Sequence, residues 1–413
     1  MRIAIVGAGV SGLVCAHLLH DEHEITVFEA EDRPGGHSHT VEVDEDGIAV
    51  PVDTGFIVFN RQNYPNFTRL LERLGVASQP SSMGFSVRNE RSGLEYAGKS
   101  LNTLFAQRRN LLRPGFYRML RGILRFYREA PDQLQAHGDV SLREFLESEG
   151  YPKELIDDHL IPMGAALWSG GSGKTGDIPV RFFVEFFRNH GMLSRGERPE
   201  WETVKGGSQQ YVRALVRGFS ERMRLSTPVR SVRRDQDSVI IQTDAAGPES
   251  FDQVILACHS DQSLRLLADP TARGREILEA LPYQENTTVL HTDTSALPRK
   301  RSIWSSWNVV VGSGFEEEVA VTYLMNHLQS IESERNYCVT LIRTGHIDQA
   351  SRIREMVYHH PVFTLEGVHQ RNFRDEIDGV ARTHYCGAYW GNGFHEAGVD
   401  SALRVCARYG KAL

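Results

Sequence analysis

Three glycines and one carboxylate near the start of the chain carry the first chemical signal. Gly7, Gly9 and Gly12 stand in a G-x-G-x-x-G spacing with Val10 and Ser11 inside it, and Glu29 follows 17 residues after Gly12. Glycines so spaced allow a tight bend, let a pyrophosphate approach the backbone and let a helix pack on the preceding strand. The phosphates then rest on a helix N-terminus, where free N–H groups and the dipole favour an anion. A carboxylate at about this distance binds ribose hydroxyls, so these residues together account for the adenosine half of a dinucleotide. The elements that must position them are legible too. Arg2-Ile-Ala-Ile-Val6 has strand composition, the pattern turns helical from the glycines through His20, and Glu24-Ile-Thr-Val-Phe-Glu29 is a second strand ending in the acid. Strand, turn, helix and acid in that order separate this motif from an incidental glycine turn.

The whole chain is compatible with such a domain and more. Its 413 residues suffice for two interleaved domains, and 40% hydrophobic with 24% charged residues is an ordinary globular composition. A net charge of −7 argues against bulk nucleic-acid binding. The five cysteines, Cys15, Cys258, Cys338, Cys386 and Cys406, lie far apart without metal-type spacing, so no metal site is expected and a cytoplasmic protein with reduced thiols is. The first twenty residues are read as part of the fold rather than a leader, because glycines interrupt the apolar run. No uninterrupted apolar run reaches the about 18 residues that a spanning helix needs.

Further along, Tyr64 to Gly75 reads as a helix closed by a glycine, and residues 83 to 98 as two short strands around a turn. From Leu101 to Gly191 the pattern is mostly helical. Within it, residues 108 to 128 carry seven arginines interleaved with ten large apolar side chains. Two readings stay open: a segment that lies on an anionic membrane, or a solvated arginine face over a packed core. Gly170-Gly-Ser-Gly-Lys-Thr175 is rejected as a phosphate-binding P-loop, since Trp168 stands where the motif needs its first glycine, and is read as a glycine-rich loop. Residues 227 to 233 and 238 to 243 form a hairpin, Val254 to Ala257 a buried parallel strand, and 286 to 343 an antiparallel sheet.

The run Glu29-Ala30-Glu-Asp-Arg33-Pro-Gly35-Gly36-His37 resembles the second signature of the FAD-dependent amine oxidase and phytoene desaturase superfamily. Arg33, Gly35 and Gly36 match, while His37 replaces the terminal arginine. Asp53-Thr54-Gly55-Phe56 resembles the family segment beside the isoalloxazine ring, and Lys205 to Leu215 the segment that returns to the FAD domain. Thr383 to Leu403 resembles the flavin-end signature, with a strand ending at Gly387 and a helix starting near Phe394, His395 and Glu396. Two positions depart from it, Ala388 and Ala402. The resemblance implies non-covalent FAD, with backbone at Val229 holding the adenine. It also implies an α/β architecture: a Rossmann-like FAD domain built from residues 1–75, 200–270 and 375–413, and an α+β substrate domain from 76–199 and 271–374.

Several runs narrow the resemblance to a bacterial branch associated with cyclopropane-fatty-acid-synthase-like methyltransferases: Arg33 to His37, Asp53 to Phe56, Pro162 to Ser169, Asn189 to Leu193, Asn286 to Asp293 and Gly393 to Glu396. That branch implies oxidation or desaturation of a lipid acyl chain by hydride transfer to flavin N5. Trp168, His190, Tyr389, Trp390 and His395 are expected at the reactive face of the ring; as alternatives, the tryptophans are core aromatics and His190 a helix cap. Two other functions compete. An amine oxidase, in many members of the superfamily it resembles, relies on a lysine near the flavin and an aromatic pair around the amine; a non-catalytic flavoprotein would serve a lipid methyltransferase as partner. The expected location is cytoplasmic, with peripheral contact at the inner membrane face through residues 108 to 128.

Overall fold

The computed structural model describes residues 1–168, 172–193, 199–313 and 319–413. Its first layer is a parallel sheet of five strands in the order Met223–Arg224, Glu24–Phe28, Arg2–Val6, Gln253–Leu256 and Thr383–Tyr385. Successive side chains of a strand point to opposite faces, and the three central strands are largely apolar at both parities, with Ile3, Ala4, Ile5, Val6, Ile25, Val27, Phe28, Val254, Ile255 and Leu256 buried. Ile3, Ile5 and Ile255 therefore pack against the helices Val10–Leu19 and His395–Ala407. Ala4, Val6, Val254 and Leu256 pack on the other side, against the strands Val229–Arg234 and Val239–Thr243 and the helix Ala272–Glu279. A sheet covered on both faces reads as continuous apolar runs, which is why the three central strands are legible, while the two-residue outer strand Met223–Arg224 carries no such run.

The second layer is a sheet of seven strands in the order Arg352–Pro361, Tyr283–His291, Cys338–Leu341, Val319–Leu324, Trp307–Val311, Phe85–Asn89 and Leu94–Ala97. It differs from the expected antiparallel sheet over 286 to 343 in two ways. Phe85–Asn89 joins Trp307–Val311 in parallel, because a long helical excursion separates the two in sequence. Arg352–Pro361 pairs along its whole length with Tyr283–His291 and forms the outer edge. An edge strand keeps polar residues on its outer side: Met356 and Tyr358 are buried, while Ile353, Glu355 and Val357 are exposed, and that mixture hid the strand among loop-like residues.

Helices Pro114–Gln133, Leu142–Ser148, Ile161–Trp168 and Val180–Asn189 pack together around Phe126, Phe145, Phe183 and Phe187, all fully buried. The helix Pro65–Leu74 ends at Gly75 in the left-handed conformation, as its sequence predicts. The segment from Lys205 opens on a Gly-Gly turn, with Gly206 and Gly207 both at positive φ, and the helix follows from Gln209. Of the glycine-rich stretch 170–175, residues 170 and 171 lie outside the described residues, and Ser172–Gly176 is a helical turn rather than a loop.

Candidate active site

The strand–turn–helix motif opens onto a cleft of about 860 Å³ that runs between the two layers. Three features shape its glycine end. The helix Val10–Leu19 begins at Gly9 with no side-chain cap, so the N–H groups of its first turn point at the cleft without a side-chain partner. A Cβ added at Gly9 would meet nothing within 4 Å, whereas one at Gly12 would lie 1.9 Å from the Gly7 carbonyl oxygen. Gly9 thus leaves room for a ligand to touch backbone, and Gly12 lets helix and strand close on each other. Gly35 donates its N–H to the Ala8 carbonyl at 2.7 Å, which seats the 33–37 turn directly on the 7–12 turn. Gly36, at φ 57°, approaches Gly9 so closely that a Cβ there would be 3.2 Å from its Cα.

Glu29 stands at the end of its strand and accepts N–H groups from Ala8 at 2.6 Å and Glu31 at 2.9 Å. Those bonds fix the carboxylate and leave it lone pairs for hydroxyl donors. Arg33 donates to the Gly36 carbonyl at 3.0 Å. Ala30, His37, Gly55, Phe56 and Val229 line the same cleft, as do Val10, Ser11, Gly387, Phe394 and His395. Gly12, Thr54 and Glu396 stand behind its wall. The Thr54 hydroxyl donates to the His39 carbonyl at 3.0 Å and lies 2.6 Å from the Tyr358 hydroxyl. Glu396 accepts the N–H groups of Asn66 and Phe67, capping the helix Pro65–Leu74 from outside.

A second uncapped helix N-terminus, that of His395–Ala407, faces the cleft at Phe394 and His395. It reaches there because it crosses the first helix at a glycine: a Cβ on Gly398 would meet Val10 Cγ1 at 2.8 Å, and Ser11 Oγ donates to the Gly398 carbonyl at 2.9 Å. His395 stacks on Phe56 at 3.6 Å between ring centres. Its Nε2 lies 2.9 Å from Ser38 Oγ and 2.8 Å from the Tyr211 hydroxyl. Burial drives its pKa well below the ordinary value of 6.5, so the ring is neutral and locked in orientation.

One wall was not legible in the sequence. His37 lies 5.3 Å from His360 and 6.5 Å from His259, and His259 lies 5.7 Å from His359, with Tyr283 stacked on His259 at 4.1 Å. Burial lowers His37 to about 4 and His259 to about 3, with repulsion from neighbouring cations adding to both shifts. His360 falls well below 6.5 for the same reasons. The adjacent pair His359-His360 is the available signal in the sequence, and it sits on the strand Arg352–Pro361, whose mixed burial gives no strand pattern.

Away from the glycine turns the wall is aromatic and apolar: Leu167, Trp168, Phe186, Trp201, Trp307 and Tyr323 line it. Trp168 lies 5.0 Å from Phe186, and its indole Nε1 is buried without a partner among the described residues. The other expected ring-face residues are elsewhere. His190 caps its helix, its Nδ1 2.9 Å from the Phe186 carbonyl and its ring stacked behind Phe186 at 3.9 Å, so it supports the wall without lining it. Tyr389 and Trp390 sit on the turn Ala388–Trp390, which directs them into the core beside Tyr283, Val6 and Leu256. They belong to the packing under the sheet and not to the cleft. No lysine lines the cleft among the described residues.

A cleft with two helix N-termini, a ribose-seeking carboxylate and glycine-tight turns defines a dinucleotide-cofactor protein. The flavin containing amine oxidoreductase family matches residues 10–300, and the chain belongs to that family, whose cofactor is FAD. The chain is 24% identical over 329 residues to an L-amino-acid oxidase of Siganus canaliculatus, covering 71% of this chain and 57% of the relative. It spans about half the length of the curated relatives it matches, 57% and 46% for the two L-amino-acid oxidases of fish and mouse. A putrescine oxidase structure shares the fold with a TM-score of 0.68 and 16% identity over 99% of both chains. The fatty acid isomerase of P. acnes that produces CLA does so with a TM-score of 0.69 and 16% identity, over 99% of this chain and 98% of that one.

The cleft fits FAD on its own geometry: open space at Gly9, two anion-favouring helix ends and Glu29 at the required distance. Gly9→Ala should therefore fold normally yet retain FAD at least about tenfold more weakly, a cost of about 1.4 kcal/mol or more. Gly12→Ala should fail to accumulate as folded protein. Fluorescence titration of FAD into the apoprotein, with thermal unfolding as the folding control, checks both. The histidines make a second prediction. Their folded pKa values lie below the unfolded one, so below about 6.5 the unfolded chain takes up protons that the folded one refuses, and stability falls with acidification. Asp53, which burial raises to about 6, acts oppositely, but it stands against His37, His39 and His259, all at about 4 or below. The thermal midpoint should be lower at about pH 5 than at about pH 7.5.

Proposed function

We propose that this protein is an FAD-dependent oxidoreductase that oxidises or desaturates a lipid acyl chain. The observation that carries the substrate class is the aromatic and apolar wall of Leu167, Trp168, Phe186, Trp201, Trp307 and Tyr323, which contributes neither a lysine nor a carboxylate to the cleft. Such a wall has nothing to pair with a charged substrate and gains by burying methylene groups, each worth about 0.8 kcal/mol. Bound FAD would supply the oxidant, accepting a hydride (one proton with two electrons) from the substrate, while desaturation would release a second proton to solvent.

The residues of the chain hold and shield. The N-termini at Gly9 and Phe394 offer N–H groups and positive dipole ends to anionic parts of the cofactor. Glu29 would accept from ribose hydroxyls and Val229 would lie at the adenine. Gly36, His37, Gly55 and Phe56 line the same cleft and would hold the cofactor along its length. His395, neutral and held by Ser38 and Tyr211, presents a fixed polar edge. Trp168 and Phe186 exclude water and restrict how a chain can lie, which is most of what a positioned C–H bond requires.

The closeness of Trp307 and Tyr323, 5.5 Å apart and edge-on in the cleft, favours a second reading, an amine oxidase with an aromatic pair around the amine. That no lysine lines the cleft among the described residues weighs against it. The narrower sequence resemblance adds a partner to the first reading, a cyclopropane-fatty-acid-synthase-like methyltransferase acting on the same lipids at the inner face of the membrane. Lipid extracts of cells with the gene, without it, and with Trp168→Ala should differ: double bonds appear or disappear only with the native protein. Unchanged acyl chains together with consumption of a small amine would replace this reading with the second.

A further inference from the structure

The arginine-rich segment takes a form in the fold that the sequence left open. From Tyr96 to Arg128 there is no aspartate or glutamate, while Lys99 and seven arginines fall in this run, in a chain whose net charge is −7. The helix Pro114–Gln133 buries Phe116, Met119, Phe126 and Ala130, which satisfies the packed-core half of the two readings. Arg118 pairs with Glu154 and Arg125 with Glu129. The packed-core reading does not account for the rest.

The outward face of that helix carries Tyr117, Arg121, Leu124 and Arg128, spaced by three or four residues and so on one side. Tyr117 is 36% and Leu124 44% exposed. Beside them, on the preceding turns, Leu101 is 77%, Leu111 48% and Leu112 87% exposed. The pieces form one surface. The Tyr117 hydroxyl donates to the Leu111 carbonyl at 3.1 Å, Arg108 donates to Asn102 at 2.8 Å, and Phe105 lies 6.2 Å from Tyr117. Arg113 and Arg121 make no ion pair among the described residues. Single exposed leucines need no explanation, but a cluster rimmed by unpaired cations marks an interaction surface.

We propose that this surface docks on an anionic lipid bilayer, with Leu101, Leu111, Leu112 and Leu124 entering the interfacial region and Arg113 and Arg121 pairing with lipid phosphates. The charge selects this occupant. A second copy of the chain would bring its own arginines against these, since a twofold interface places the same patch on both sides. A bilayer surface offers phosphates to the guanidiniums and hydrocarbon to the leucines at once. No described helix is long and apolar enough to cross a membrane, so the attachment lies in the interface plane. The inference stands on this surface alone and not on the acyl-chain reading.

The test is co-sedimentation of the FAD-loaded protein with vesicles of phosphatidylcholine, alone or in equal parts with phosphatidylglycerol. The variants are Arg113→Gln with Arg121→Gln, and Leu111→Asn with Leu112→Asn. Leu111, Leu112 and Arg121 are exposed and Arg113 is partly so, and an unchanged flavin absorbance certifies the fold. The native protein should sediment with the anionic vesicles at low salt, not with the neutral ones, and be released by salt. The arginine pair should reduce binding about tenfold or more, and the leucine pair should leave a weaker, wholly salt-reversible association. Native protein that stays in the supernatant with both vesicles overturns the proposal. So does equal binding by native protein and variants, or a dimer in sedimentation velocity that the leucine substitutions dissolve.

Discussion

The structure depends on how closely four glycines let backbone meet backbone. Gly12 sits where any side chain would collide with the Gly7 carbonyl, and Gly36 lies against Gly9. These two approaches, with the Gly35 to Ala8 hydrogen bond, bring the first helix, the first strand and the 33–37 turn into one rigid corner. The helix N-terminus can then point at a ligand because nothing of the protein's own fills the space over Gly9. A backbone-built anion site of this kind needs no cation of its own, and the neighbouring histidines are in fact held neutral by burial.

The Phe56 N–H donates to the His37 carbonyl at 2.8 Å, and a short way back along the same segment Asp53 makes a second junction. Its carboxylate is almost wholly buried and accepts from Thr40 Oγ1 at 2.6 Å, from the Ser208 N–H at 2.9 and 3.0 Å, from Ser208 Oγ at 2.8 Å and from Gln329 Nε2 at 3.1 Å. Its own N–H donates to Gln329 Oε1 at 2.8 Å. One residue thus joins the 40–53 hairpin, the helix that starts at Gln209 and the segment after the strand Val319–Leu324. Burial raises its pKa and the donors lower it, so the carboxylate is kept by hydrogen bonds that would otherwise be left unsatisfied.

What the sequence disclosed and what it hid follow from the same physics. The parallel strands, the glycine turn, Glu29 and the last helix are local patterns: apolar runs, fixed spacings and turn residues that act within a few positions. The edge strand Arg352–Pro361 was hidden because one side of it is solvated and its polar residues read as loop. With it went the histidine wall, which exists only where His37, His259 and the His359-His360 pair converge from three distant segments. Tyr389 and Trp390 adjoin the flavin-end motif in sequence, yet the turn Ala388–Trp390 sends them into the core. Which way a short turn aims its side chains is decided by packing, not by spacing. Glu396 and His395 are neighbours with opposite duties for the same reason, one capping another helix and one facing the cleft.

The central claim is that one cleft joins a backbone-built FAD site to an apolar wall meant for hydrocarbon. It is tested most directly by mixing the FAD-loaded protein, without oxygen, with a phospholipid of defined acyl chains and separately with a panel of primary amines, while following the flavin absorbance band. The band should be lost with the phospholipid, from which an acyl chain changed by one double bond is recovered, and should not respond to the amines. Rapid loss of the band with an amine and none with the phospholipid would contradict it.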